Sequence, residues 1–309
     1  MKAVRIHRYG GAEVLSYEDM PMPEHGPGEL LVRVHAAGVN PIDWKIREGH
    51  YRMLIRFELP TVLGWDVSGV VEKVGAQVSG FRPGDEIFAR PDIKRGGTYA
   101  EYVAIRASDA ARKPKSIDHV HAAAVPLAGL TAWQALFDKA GLKEGQRVLV
   151  HAAAGGVGHF AVQLAKWKGA FVAGTASGRN EALLRSLGAD RVVDYARERF
   201  EDVVAPVDVV LDTMGGDTGR RSWKILKRSG TLVSVLDIAA PLKGALRMKR
   251  GRFLLIEPNA AELAQIAALI DAGRVKPLVE NVFPLAGARR AHELSQTGRV
   301  RGKIVLQVI

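Results

Sequence analysis

The sequence predicts an α/β chain of two domains, a partly open β-barrel and a doubly wound parallel sheet, and three observations carry that prediction. Short strand-like runs punctuated by Gly and Pro fill residues 1 to 118. Strands alternate with helices over residues 119 to 259. Within that second region a Gly-rich turn, Ala153 to Gly158, joins a strong strand to a strong helix.

In the first region the runs are LLVRVHAAGVN, VSGVVEKVGAQV and GTYAEYVAI, with the turn FRPGDEIFA between the last two. Closely spaced strands of this kind describe a partly open barrel, because parallel strands would need crossover helices between them. From residue 119 a helical stretch, HAAAVPLAGLTAWQALFDKAG, leads to the strand RVLVHA, the Gly turn and the helix HFAVQLAKWKG. Then come the strand FVAGTA, the helix RNEALLRSLGA and the strands RVVDY and VDVVLDTMGG. The helix TGRRSWKILKRSG and the strands TLVSVL and FLLIEP complete the series. Strands separated by helices of about 10 to 15 residues imply βαβ units and a parallel sheet. Residues 260 to 309 add the amphipathic helix AAELAQIAALIDAG, the extended VKPLVENVFPL, the helix ARRAHELSQTG and a last strand, KIVLQVI. They follow the sixth strand of the sheet, so they are expected to return to the first region. Residues 1–118 with 260–309 then form a discontinuous substrate domain, and 119–259 the nucleotide domain. No repeat or low-complexity linker separates them, which predicts a tight cleft.

Composition narrows the chemistry. The chain has 309 residues, 47% of them hydrophobic, as in ordinary globular proteins. No charge-free apolar run reaches about 18 residues, and no apolar stretch follows MKAVRIHRYGG, so neither a membrane span nor a signal peptide is expected. A cytoplasmic location is the default. Cysteine is absent, which excludes disulfides, thiol nucleophiles, iron–sulfur clusters and thiolate metal sites. The nine histidines show no ligand spacing on a shared helix face. The net charge of +11 suits an anionic partner, a nucleotide as well as a nucleic acid. The one basic cluster, Lys243, Arg247, Lys249, Arg250 and Arg252, reads as a solvated loop ahead of a nucleic-acid patch.

Ala153, Gly155 and Gly158 stand at the spacing G-x-G-x-x-G with Ala in the first place. Small residues there permit a tight turn, close approach of a pyrophosphate to the backbone and close packing of helix on strand. The helix start offers unpaired N–H groups to phosphate oxygens. Ala154, Gly155, Gly156, Val157 and Gly158 are therefore the candidate dinucleotide cradle. A site selective for NADH needs an acid at the end of the next strand, about 20 residues on. This chain has Thr175, Ser177 and Arg179 there and no acid, which favours NADPH by offering hydroxyls and a guanidinium to its 2′-phosphate. Ser177 is equally suited to capping the next helix. Tyr195 is placed to edge the same pocket. Val235 and Leu236, ending the fifth strand, are expected to reach the nicotinamide, and Thr213 and Met214 the adenosine or pyrophosphate half.

Seven motifs span nearly the whole chain: AAGVNPIDWK (36–45), LGWDVSGVVEKVG (63–75), FRPGDEIFA (81–89), GGTYAEY (96–102), GLTAW (129–133), AAAGGVG (152–158) and GKIVL (302–306). In them the chain resembles the medium-chain dehydrogenase/reductase superfamily, and within it the zeta-crystallin-like quinone oxidoreductases. The resemblance implies a GroES-like substrate domain beside a Rossmann domain, and homodimers joined through the Rossmann sheets. In the superfamily's zinc alcohol dehydrogenases a Cys stands where this chain has Asn40, and a His where it has Trp65. An Asn amide is a poor zinc ligand and an indole has no lone pair to give, so no metal site is expected, and Asp66 alone does not make one. Without a Lewis acid the favoured acceptors are conjugated: quinones and α,β-unsaturated carbonyls.

The resemblance also places Asn40, Tyr51 and Thr131 along the nicotinamide and substrate pocket, Asn40 and Tyr51 as donors to a carbonyl oxygen. Lys45 is a further candidate, an ammonium able to stabilise an enolate, against the ordinary solvated lysine. Asp43 is read as a brace for its loop. NADPH-dependent quinone reduction leads, followed by reduction of the carbon–carbon double bond of alkenals or enones. An NADPH- or RNA-binding protein without turnover is the alternative of another class.

Overall fold

The hub of the first unit is the strand Glu29–Val39, whose 11 residues are long enough to serve two neighbours on one edge. Its first half pairs antiparallel with Tyr102–Arg106, its second half with Lys303–Gln307 at the chain's end, and its other edge with Val67–Val74. Glu86–Ala89 and Ala110–Arg112 extend the sheet beyond Val67–Val74, and Val279–Pro284 lies outside Lys303–Gln307. A smaller three-stranded sheet places Lys2–Ile6 between Leu15–Asp19 and Thr61–Val62. Leu30, Val32 and Val34 alternate into a core with Val67, Val71, Ile87 and Ile105, as a half-buried pleat requires. This computed structural model describes residues 1–53, 57–95 and 97–309. Gly96, the first residue of GGTYAEY, lies outside the described residues.

Two compact units emerge: Met1–Leu127 with Glu257–Gly273 and Pro277–Ile309, and Ala128–Ile256 with Arg274–Lys276. Residues 119–127 thus fall in the first unit, whereas the sequence reading gave them to the second. The cause is packing: Ala123 and Ala124 of the segment beginning with helix His119–Ala123 are buried against Ala36 and Val305. The long helical stretch expected over 121–141 is broken. A second helix runs Pro126–Trp133 and widens into a π-helical turn, Gln134–Lys139.

The second unit is a six-stranded parallel sheet. In chain order its strands are Arg147–Val150, Phe171–Ala176, Arg191–Asp194, Val207–Asp212, Leu226–Ser234 and Arg250–Phe253, and the third lies at one edge and the sixth at the other, in the order 3-2-1-4-5-6. That is the doubly wound Rossmann order, with its switch point beside the first strand. Val148, Leu149, Val150, Val210 and Leu211 are fully buried in their strands, as expected for a sheet covered on both faces.

Two assignments shift here. The helix expected to run to residue 230 stops at Ile225, and Leu226 already pairs with Val207. The sixth strand is Arg250–Phe253, earlier than FLLIEP. The basic cluster is solvated in the main, with Lys243, Arg247, Arg250 and Arg252 exposed, but it is not a loop: it runs from helix Ala240–Ala245 into strand Arg250–Phe253. Lys243 lies just above an edge strand, in helix Ala240–Ala245, and donates to Asp237 at 2.7 Å. Lys249 donates to the carbonyl oxygens of Trp223 and Leu226, and the Arg247 guanidinium lies 5.6 Å from the Trp223 ring centre.

Candidate active site

The dinucleotide turn is built by exclusion of volume. After strand Arg147–Val150 the backbone reaches a positive φ of 47° at Ala152, then enters helix Gly158–Trp167. A Cβ on Gly158 would lie 2.2 Å from the Ala152 carbonyl oxygen and 2.7 Å from Ala153 Cα, so only glycine permits this approach of helix to strand. Ala153 fits the first position of the motif because its neighbour on the next strand is bare: a Cβ on Gly174 would stand 2.7 Å from Ala153 Cβ. Gly155 faces a single neighbour, the Ala152 oxygen at 3.2 Å. The His159 ring holds the turn from inside, its Nδ1 lying 2.9 Å from the Gly155 carbonyl oxygen. Among the described residues the backbone N–H groups of Ala154, Gly156 and Val157 donate to no protein oxygen. Free amides at a helix start, beside a glycine with space over it, fit a pyrophosphate.

At the end of the second strand the candidate residues divide. Ser177 Oγ accepts from Asn180 Nδ2 at 3.0 Å without capping the helix, which leaves its own O–H to donate elsewhere. Arg179 is exposed in the 3-10 turn Gly178–Asn180. Tyr195 is 67% exposed and its N–H donates to the Ala176 carbonyl oxygen at 3.2 Å, so it flanks this strand end. Thr175 needs correcting. Its hydroxyl points inward, 3.1 Å from His151 Nδ1, and its side chain is buried. His151 Nε2 lies 2.8 Å from Ser222 Oγ, whose proton goes to the Thr218 carbonyl oxygen, so the ring donates through Nε2 and accepts from Thr175. Burial holds this imidazole neutral, with its pKa pushed down to about 4. The Thr175 hydroxyl is thus committed to the core and not offered to a 2′-phosphate.

Sequence reasoning also missed Asp194. It ends the third strand, and its Oδ2 stands 2.6 Å from where a Cβ on Gly178 would be. The end of the second strand therefore carries no acid of its own, but its neighbour supplies one beside it. Two residues counted as ending the fifth strand lie past it, since that strand stops at Ser234. Val235 N–H donates to the Asp212 carbonyl oxygen at 3.2 Å, and Leu236 is 44% exposed, with its Cβ 3.4 Å from the position of a Cβ on Gly215. Thr213 is turned back, its Oγ1 donating to the His151 carbonyl oxygen at 3.0 Å.

In the first unit, Asn40 closes strand Glu29–Val39 and caps helix Pro41–Arg47. It is buried, and both ends of its amide are engaged: Nδ2 donates to Asp66 Oδ2 at 2.8 Å, while Oδ1 accepts from the Lys303 ammonium. Lys303 also donates to Asp66 Oδ2 at 3.0 Å, and Asp66 Oδ1 accepts from the Leu127 N–H at 2.6 Å. Lys303 was missed as a site residue although GKIVL was noted. The available signal was a lone cation opening the apolar run Ile304–Leu306.

A second buried set braces the Asn40 backbone. Asp43 accepts from the Asn40 N–H at 2.7 Å and from the Tyr99 hydroxyl at 2.6 Å, both on Oδ2. Tyr99 Oη lies 3.3 Å from His292 Nε2, and His292 Nδ1 lies 3.2 Å from Arg47 Nη1. A guanidinium only donates, so Nδ1 accepts, Nε2 carries the proton, and every donor points from Arg47 toward Asp43. Desolvation outweighs the two donated hydrogen bonds and pushes the Asp43 carboxyl up to about 7. Burial, reinforced by Arg47, pushes His292 down to about 3. Asp43 therefore stands as a brace at the accepting end of a donor chain.

Lys45 and Tyr51 share this unit, and Thr131 is buried on helix Pro126–Trp133 in the other. The Lys45 ammonium lies 5.5 Å from the Trp44 ring centre, and burial lowers its pKa. Tyr51 is half-buried against the core cluster that includes Val39, Ile46 and Trp65.

Residues 26–115 match the family described as alcohol dehydrogenase GroES-like domain, and residues 187–306 the family described as zinc-binding dehydrogenase. The chloroplast envelope quinone oxidoreductase homolog of Arabidopsis thaliana is 33% identical over 99% of this chain and 98% of its own length. The NADPH-dependent alkenal/one oxidoreductase of the same plant is 37% identical over 100% of this chain and 80% of its own. Among solved structures, the quinone oxidoreductase from Coxiella burnetii is 39% identical, covers 100% of this chain and 99% of its own, and superposes with a TM-score of 0.94. Sheet order, dinucleotide turn and these likenesses agree: the chain belongs to the medium-chain dehydrogenase/reductase superfamily and, within it, to the zeta-crystallin-like quinone oxidoreductases.

Proposed function

We propose that this oxidoreductase uses NADPH to reduce quinones and needs no zinc. The supporting observation is the Asn40 amide, which stands where the superfamily's zinc enzymes carry a thiolate ligand and is held by Lys303 and Asp66. Its oxygen is already bonded to an ammonium, so the set suits a ligand carbonyl better than a metal. Bound NADPH would supply the hydride; the acceptor oxygen, gaining electron density, takes a proton from solvent. Steady-state assays with a quinone panel and a 2-alkenal panel, each with and without a chelator, test this reading. Quinone turnover that is indifferent to chelation is expected. Turnover confined to alkenals would move the assignment to double-bond reduction, the second reading, which the alkenal/one reductase relative favours. The binding-only reading is tested by a salt-dependent RNA titration, in which no binding at physiological salt is expected; Lys243 and Lys249 are bonded within the chain, while Arg247, Arg250 and Arg252 are exposed.

NADPH preference rests on Ser177 and Arg179, with Asp194 beside them as the competing group. Arg179→Ala is expected to weaken NADPH about tenfold or more and NADH less than about threefold, as loss of a charge-assisted bond to a 2′-phosphate predicts. Fluorescence titration with both cofactors reads the difference, and equal losses would remove Arg179 from the site.

A homodimer joined through the parallel sheets belongs to the same proposal. Arg250–Phe253 pairs with one strand among the described residues, which leaves a sheet edge open. Ile238, Leu242 and Leu246, four residues apart, are 75%, 64% and 75% exposed. An open edge with exposed apolar side chains nearby suits a second copy. Light scattering that gave a monomer mass at tens of micromolar would count against it. A cytoplasmic location is part of this proposal and rests on composition; among the described residues no helix is long and apolar enough to cross a membrane.

A further inference from the structure

Asn and Gln side chains are usually free to turn end for end, because either end finds a partner in water. Asn40 is not. On one side stands Asp66 Oδ2, which only accepts, and on the other Lys303 Nζ, which only donates. Turning the amide would set its oxygen against a carboxylate and its NH₂ against an ammonium, with all three groups buried. The Lys303 protons are fully used, going to Val39 O, Asn40 Oδ1 and Asp66 Oδ2. One Nδ2 proton of Asn40 has no acceptor in the protein among the described residues.

We infer that Lys303 and Asp66 are positioning residues that fix Asn40 as a one-way donor, and that this selects ligands by an accepting oxygen. The inference rests on the reading of Asn40 as the group that meets the acceptor. With its oxygen spent on Lys303, the amide has a proton to give and no lone pair well placed to receive one. A carbonyl is therefore recognised and a donor-only group is rejected. Two effects add. The ammonium polarises the amide, since hydrogen bonds in series strengthen one another at low dielectric. The remaining N–H is then a stronger donor to an oxygen that gains negative charge during reduction. The same pair performs part of the electrostatic work of a Lewis acid, with a fixed dipole in its place.

The test removes the Asp66–Lys303 pair with both of its own charges. In Asp66→Asn/Lys303→Met both charges go together, and residue 66 becomes an amide able to donate or accept, so Asn40 can take either orientation. Two bicyclic ligands of similar size report that orientation: 1-indanone, whose carbonyl accepts, and indole, whose N–H donates. Titrated into the oxidised-cofactor complex, the unaltered protein should bind 1-indanone about tenfold more tightly than indole, the worth of one well-made hydrogen bond. In the double variant the ratio should fall to within about threefold, and kcat for a quinone should fall about 100-fold, with KM moving much less. A variant that folds and keeps the tenfold ratio overturns the inference. So does an unaltered protein that binds indole as tightly as 1-indanone, whatever the variant does. The underlying function fails separately, if the unaltered protein reduces neither quinones nor enones while the ligand preference stands.

Discussion

Gly158→Ala is expected to abolish useful dinucleotide binding, with NADPH affinity falling at least about 100-fold and the unfolding free energy falling by about 3 kcal/mol. One methyl group does this because of where it would go. It would meet the Ala152 carbonyl oxygen at 2.2 Å and the Ala153 backbone at 2.7 and 2.8 Å, all main-chain atoms with no rotamer to escape into. Helix Gly158–Trp167 would have to back away from the strand, carrying the amides of Gly156 and Val157 with it. Gly155→Ala is the matched control, since its added Cβ would touch one atom, at 3.2 Å. It should keep the stability of the parent and lose affinity only by crowding the phosphates. Isothermal titration with NADPH beside thermal unfolding reads both quantities; a Gly158→Ala protein that binds within about threefold of the parent would remove this turn from the cofactor site.

The second large effect lies in the other unit. Lys303→Met alone should lower the unfolding free energy by about 3–5 kcal/mol, because the buried Asp66 carboxylate loses the ammonium bonded to it and keeps only the Coulombic attraction of the buried Arg90. Adding Asp66→Asn to the same chain should recover most of that loss. Denaturant unfolding of the three proteins measures the difference as a coupling between the two sites. Additive losses in the double variant would show that Asp66 and Lys303 do not act as an ion pair, contrary to the 3.0 Å distance between them.

Features generated by local sequence pattern were the easiest to read in advance. Alternating apolar residues from Leu30 to Val34 announce a pleated strand, and the small residues between Arg147–Val150 and Gly158–Trp167 announce the turn. Contacts made at long range left little trace. Nothing near Thr175 in the sequence says that His151 takes its hydroxyl, because that depends on which face of the strand each residue occupies. Asp194 is distant from Gly178 in sequence and becomes its neighbour only when the second and third strands pair. Asn40 was identified for its amide, but the direction of that amide is set by Lys303, in the last strand of the chain. Lys249 of the basic cluster was hidden for a related reason. Composition shows five cations close together, whereas the fold gives Lys249 two carbonyl oxygens.

The closing strand Lys303–Gln307 has a consequence for the order in which the protein is made. Asp66 and its counter-ion are 237 residues apart in the chain, and the ribosome delivers the carboxylate long before the ammonium. The parallel-sheet unit, nearly continuous from Ala128 to Ile256, can assemble while the tail is still being translated. The barrel unit cannot: until residue 307 emerges, strand Glu29–Val39 has half of one edge open and Asp66 lacks the Lys303 ammonium. A chain released a few residues early would hold a finished nucleotide fold attached to an unfinished barrel, with an exposed strand edge available for association.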